Sequence, residues 1–127
     1  MSSDSLQTLV RSRLEQADDA LNAARILLEQ HSVRAAVNRA YYAMFYAVLA
    51  LLALRKQETS KHTGAISLFD REFVKPGVFS RDLSQWLHRA FRQRLAADDA
   101  PLQTVSGDEA QAFVAQIREH LARELNP

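Results

Sequence analysis

Apolar residues recur along the first part of the chain at Val10, Leu14, Ala17, Leu21, Ala24 and Leu28. Steps of four and three place all six on one side of an α-helix. Arg11, Glu15, Asp18, Asn22, Arg25 and Glu29 fall largely on the other side. The pattern predicts a helix over Ser3–Glu29, with Ser3 or Asp4 able to cap its first turn. Gln30 and His31 interrupt it, and Ser32 is a candidate N-cap for the next element. From Val33 to about Lys56 apolar residues run almost all the way round: Ala40, Tyr41, Tyr42, Met44, Phe45, Val48, Leu49, Leu51 and Leu52. A helix apolar on every side must be covered on every side. It is therefore the central helix of a bundle, or one shared between the core and a partner. Arg34, Asn38 and Arg39 are its polar exceptions.

After the polar loop Arg55–Ser60, His62, Ile66, Phe69 and Phe73 share one stripe and predict a helix from about Lys61 to Val74. Lys75-Pro76-Gly77 stops it, because proline cannot extend the ladder and glycine supplies a turn. Ser80 can cap a fourth helix, about Arg81 to Ala97, with Leu83, Trp86, Leu87, Ala90 and Phe91 on its apolar face. Asp98-Asp99-Ala100-Pro101 ends it. Ser106 and Glu109 then have capping-box spacing, in which hydroxyl and carboxylate each satisfy an orphan amide. They open a fifth helix to about Glu124, carrying Ala110, Phe113, Val114, Ile117 and Leu121 on one face. No segment sustains the two-residue alternation of a strand, and there is no internal repeat. The expected fold is all-α: one domain over residues 1–127, an up-and-down antiparallel bundle of about five helices.

Composition narrows the picture at a few points. A chain of 127 residues can bury roughly two-thirds of its unfolded surface, enough to fold unaided. Three glycines and three prolines are too few for a turn-rich sandwich or barrel. The absence of cysteine excludes a disulfide framework, thiolate metal sites and cysteine nucleophiles, and fits an expected cytoplasmic location. The net charge of +1 gives no bulk attraction to nucleic acid, so any basic surface must be local. The first fifteen residues lack the basic-then-apolar pattern of a secretory signal. The longest uncharged run, Ala40–Leu54, has 15 residues where a membrane span needs about 20; it reads as a core helix, with no membrane involved.

Candidate chemistry is sparse. There is no phosphate-binding loop, dinucleotide glycine pattern or zinc-protease helix. His31, His62, His88 and His120 lie far apart in sequence with no i, i+4 pair, so no metal or cofactor is expected. Tyr41, Tyr42, Phe45 and Tyr46 form an aromatic cluster whose hydroxyls need polar partners. Arg81, Arg89, Arg92 and Arg94 fall within 14 residues. Arg94 differs from the others because it continues the stripe Leu83, Leu87, Ala90/Phe91. An arginine on an apolar face needs a partner. Asp98, one turn on, is the nearest in sequence, and the pair reads either as a structural ion pair or as a phosphate site.

The strings Arg39-Ala-Tyr-Tyr-Ala-Met-Phe45, then His62, Gly64, Ile66, Phe69 and Phe73-Val-Lys75, then Phe91-Arg-Gln-Arg-Leu-Ala-Ala-Asp-Asp99 resemble the HEPN domain superfamily. Within it they resemble the small stand-alone proteins often paired with a minimal nucleotidyltransferase. The resemblance covers nearly the whole chain. It implies an antiparallel helical bundle that dimerises, in an RNA-linked or nucleotide-linked setting. Many relatives are metal-independent endoribonucleases, in which an arginine holds the scissile phosphate and a histidine four to six residues on assists attack. Here Asp98 and Asp99 stand where that histidine would be, so the motif is not intact; in the close subfamily an aspartate and a tyrosine are common there, and Asp99 replaces the tyrosine.

The resemblance implies a HEPN-fold component of a toxin–antitoxin or nucleotidyltransferase pair. As a dimer it would bind its partner protein, an NTP or RNA, with Arg89, Arg92 and Arg94 as the binding residues. One alternative is a metal-independent endoribonuclease using Arg94 with Asp98 or Asp99; another is a non-catalytic helical scaffold. Three structural expectations follow. The second helix contributes to a homodimer interface. Arg39, Tyr41, Tyr42 and His62 gather as a structural polar cluster. Arg94 with Asp98 marks the functional surface at the dimer cleft.

Overall fold

In the computed structural model, residues 3–57, 59, 61–95 and 107–125 are described. Five α-helices follow in order: α1 Ser3–Glu29, α2 Val33–Leu54, α3 His62–Phe69, α4 Arg81–Leu95 and α5 Gly107–Leu125. No strand occurs among the described residues. The all-α bundle read from the periodicity is the observed fold. Helices α1 and α2 form a long hairpin and make the most extensive pairing in the molecule; α3, α4 and α5 then pack across α2.

Helix α2 is the axis because almost nothing on it is polar. Thirteen of its 22 residues are buried. It is long and apolar enough to cross a bilayer by length and composition alone, but those side chains are covered by the other helices. Alanines at 36, 40, 43, 47, 50 and 53 recur along it and are all buried, letting the neighbouring helices approach closely. Tyr42, Tyr46 and Leu49 stay partly buried against the core. The bundle thus covers most of the helix's circumference, as the central-helix alternative of the sequence reading expects.

The core has an aromatic layer. Phe69 is 5.5 Å from Phe113 and 6.0 Å from Phe79, centroid to centroid, and Phe69, Phe73 and Phe113 are all fully buried. Two details depart from the sequence reading. Leu28, placed on the buried stripe of α1, is 42% exposed, because α1 outruns its cover near the turn into α2. The third helix is also not uniform: beyond Phe69 it widens into a π turn over Asp70–Val74, with the Lys75 amide donating to the Asp70 carbonyl at 2.8 Å. Pro76 explains this, since a proline ring clashes with the carbonyl four residues back in an α ladder and a wider turn moves that carbonyl away. Ser32 precedes α2 without a side-chain cap bond. Ser106, the expected cap of α5, lies outside the described residues.

Candidate functional site

The predicted cluster of Arg39, Tyr41, Tyr42 and His62 assembles where α2, the start of α3 and the end of α4 meet. Tyr41 is fully buried, and its hydroxyl lies 2.7 Å from His62 Nδ1. The His62 ring stacks on Phe45 at 4.2 Å and stands 5.6 Å from both tyrosine rings. Phe91 of α4 closes the cup, 5.7 Å from Tyr41 and 6.5 Å from His62. Consecutive residues Tyr41 and Tyr42 both reach the cup because their rings meet edge to face at 5.4 Å. That geometry suits aromatic quadrupoles.

Arg94 enters this cup from α4. Its Nη1 donates to the Tyr42 hydroxyl at 3.0 Å. The guanidinium carbon sits 5.1 Å from the Tyr41 ring and 5.6 Å from both Tyr42 and Phe91. Its Nε is buried and has no hydrogen-bond partner among the described residues. The Arg39 guanidinium lies 4.8 Å over the Tyr42 ring and is held by Asn38 Oδ1 at 3.0 Å. Two cations therefore flank one tyrosine. Among the described residues neither forms an ion pair. The expected partner of Arg94, Asp98, lies outside the described residues, as does Asp99.

The electrostatics follow from this crowding. Burial pushes the Tyr41 phenol well above its ordinary range, with Arg94 pulling the other way and Tyr42 adding to the rise. Burial first, then the positive charge of Arg94, hold His62 below the ordinary histidine value. At neutral pH the cup therefore contains a protonated phenol, a neutral imidazole and a guanidinium with an unsatisfied N–H. The phenol and the imidazole are bonded to each other, and the guanidinium beside them is the charged donor that suits an anion.

The remaining predicted binding residues divide. Arg92 is exposed. Arg89 is turned toward α5, where Nη1 pairs with Glu109 at 3.0 Å, and so belongs to the α4–α5 contact and not to the cup. A second polar cluster was not foreseen. Asp70, at the start of the π turn, accepts from Ser84 Oγ at 2.7 Å and lies 2.6 Å from His88 Nε2, both on α4. Ser84 and His88 stand one helical turn apart, a spacing legible in the sequence; their shared carboxylate, 14 and 18 residues away, was not. His120 is buried against Phe73 and Phe79; its Nε2 makes no hydrogen bond among the described residues and lies 3.8 Å from Glu124 Oε1. A separate groove of about 570 Å³, lined by Leu21, Leu28, Val33, Val37, Gly107 and Ala110 among others, holds none of the candidate residues. Among the described residues no group of histidines and carboxylates is placed to hold a metal ion.

The HEPN domain model matches residues 10–124. The chain belongs to the HEPN domain family. It is similar to a "UPF0332 protein" of Thermotoga maritima, 42% identical over 65% of this chain and 62% of that protein. It is also similar to "Putative toxin MJ0605" of Methanocaldococcus jannaschii, 33% identical over 88% of each chain. A third relative, "Putative toxin MJ0142" of the same archaeon, is 33% identical over 77% of this chain and 67% of its own length. The chain thus spans less than two thirds of the Thermotoga protein.

Proposed function

We propose that this HEPN domain is the HEPN component of a toxin–antitoxin pair. It works as a homodimer, takes a phosphate ester at Arg94 and docks a minimal nucleotidyltransferase as its partner. The observation that carries the reading is Arg94 itself. Its guanidinium is drawn among three aromatic rings and bonded to the Tyr42 hydroxyl, with a buried N–H left over. A half-buried cation held among rings with no carboxylate partner among the described residues is available to an anion at its exposed edge. The planar guanidinium fork suits phosphate oxygens, and the exposed Arg92 and half-buried Arg39 add positive potential near by. The two archaeal relatives that carry the name "Putative toxin" support the setting. An RNA backbone and a nucleotide offer the same phosphate chemistry.

The test is binding of a short single-stranded oligoribonucleotide and, separately, of ATP at low salt, for wild type and Arg94→Ala. Losing a charge-assisted contact weakens binding about tenfold or more, while circular dichroism and light scattering stay unchanged. Tighter binding of the oligonucleotide, with a steep salt dependence, identifies RNA as the ligand; preference for ATP identifies a nucleotide. RNA cleavage in EDTA that Arg94→Ala abolishes would make the protein a metal-independent endoribonuclease. If wild type binds neither ligand and Arg94→Ala unfolds, Arg94 is a structural residue and the reading fails.

A further inference from the structure

His62 lies in the same cup as Arg94. Its ring shares three aromatic neighbours with the Arg94 guanidinium: Tyr41, Tyr42 and Phe91. Its Nδ1 faces the Tyr41 hydroxyl. Its Nε2, on the opposite edge of the ring, forms no hydrogen bond to another described residue and is not among the buried unpartnered atoms.

The bonding decides which nitrogen carries the proton. The Tyr41 hydroxyl is buried and must donate its hydrogen. Among the described residues its acceptor is His62 Nδ1, at 2.7 Å. The phenol keeps that hydrogen, because burial holds it in the neutral form. A neutral imidazole that accepts at Nδ1 has its own N–H at Nε2. His62 is thus set as a donor, and not as a base, by a residue beneath it.

We propose that His62 is the second phosphate-binding residue of this site, donating from Nε2 alongside the Arg94 guanidinium, and that Tyr41 is the positioning residue that fixes its tautomer. The inference rests on the phosphate reading of Arg94. It gives the site a second donor from α3, within the same chain, although the helix that carries Arg94 lacks a histidine at the spacing the ribonuclease relatives use. Because His62 donates, it adds affinity for an oxyanion without serving as a proton acceptor.

The experiment uses the full chain with histidine ring nitrogens labelled, titrated with inorganic phosphate and then with a short single-stranded oligoribonucleotide. Nitrogen chemical shifts report the tautomer directly. In the wild type His62 shows a protonated Nε2 and a bare Nδ1, and phosphate moves the Nε2 resonance. His62→Ala weakens binding about three- to tenfold, the loss of one hydrogen bond. His62→Gln, whose amide reaches the Nε2 position with an N–H, recovers most of it. Tyr41→Phe leaves His62 in place but spreads it over both tautomers, with a smaller loss of affinity. His88→Gln, outside the cup, changes nothing. If Arg94→Ala weakens binding while His62→Ala and His62→Gln both match wild type, His62 plays no part and the phosphate reading of Arg94 stands. A bare Nε2 in the wild type overturns the proposal even where His62→Ala fails to fold. If Arg94→Ala also binds as wild type does, both readings fall together.

Discussion

His62 and His120 are both held in the neutral form, and burial is the larger cause for each. For His62 the second cause is the charge of Arg94. For His120, Arg123 and Arg55 push the same way while Glu124, 3.8 Å from Nε2, opposes them. Unfolded histidine titrates near pH 6.5, and in the fold both titrate lower. Between the two values the unfolded chain binds more protons than the folded one, so stability falls as pH is lowered through that window. We expect the urea midpoint to drop as pH moves from about 7 toward 5, with much of the slope removed in the double variant His62→Gln/His120→Gln. An unchanged slope would show that carboxylates dominate acid sensitivity. At this scale the sequence was a partial guide. Pairing of His62 with the central tyrosines was legible, because the imidazole opens an apolar stripe and both groups need partners. The contact of Arg94 with Tyr42 was not, because it joins residues 52 apart and local spacing points only to Asp98.

Helix limits were the most readable feature, and the exceptions have local causes. Helix α1 runs over Ser3–Glu29, as its four-three spacing predicts. The third helix fits its stripe of His62, Ile66, Phe69 and Phe73, yet its last turn is π; period alone does not reveal a widening imposed from the proline beyond. That turn places Asp70 against Ser84 and His88 and so ties α3 to α4. Two glycines test the ends of the element. Gly77 adopts φ 85° with open space around its missing side chain. Gly77→Ala therefore costs about 1–2 kcal/mol through backbone conformation alone, measured by denaturant unfolding. Gly64 faces a different constraint. An added Cβ would stand 2.7 Å from Thr59 Oγ1, the atom that accepts the Lys61 amide at 3.3 Å. Alanine gains about 1 kcal/mol over glycine in a helix, and displacing that hydroxyl offsets it. Gly64→Ala is thus expected to be near neutral alone and stabilising by about 1 kcal/mol in a Thr59→Ala background.

For the whole molecule, the half-covered stripe of Tyr42, Tyr46 and Leu49 on α2 is the surface through which the proposed homodimer would form. A stable obligate interface buries on the order of 2,000 Å² or more in total. Light scattering at micromolar concentration should return twice the 14.3 kDa chain mass, and Tyr46→Glu with Leu49→Lys should return a folded monomer. A wild-type monomer would remove the dimer from the proposed function. The bundle fold itself was legible in the sequence, since it needs only the periods of successive helices. The sequence leaves open whether α2 is covered within one chain or shared with a partner, since that depends on how α1 and the later helices cross it. The α1–α2 hairpin has a further consequence, for timing. Its helices are neighbours in sequence, joined by a turn in which His31 takes φ 60°, and they form the most extensive pairing in the fold. Contacts so local close early, before the loops to α4 and α5 are paid for in entropy. Leu14→Ala should therefore slow refolding in stopped-flow measurements, whereas Phe113→Ala should mainly hasten unfolding. On that order Tyr41 and Tyr42 would be in position on the hairpin before His62 and Arg94 reach them, and the proposed anion site would be among the last parts of the molecule to form.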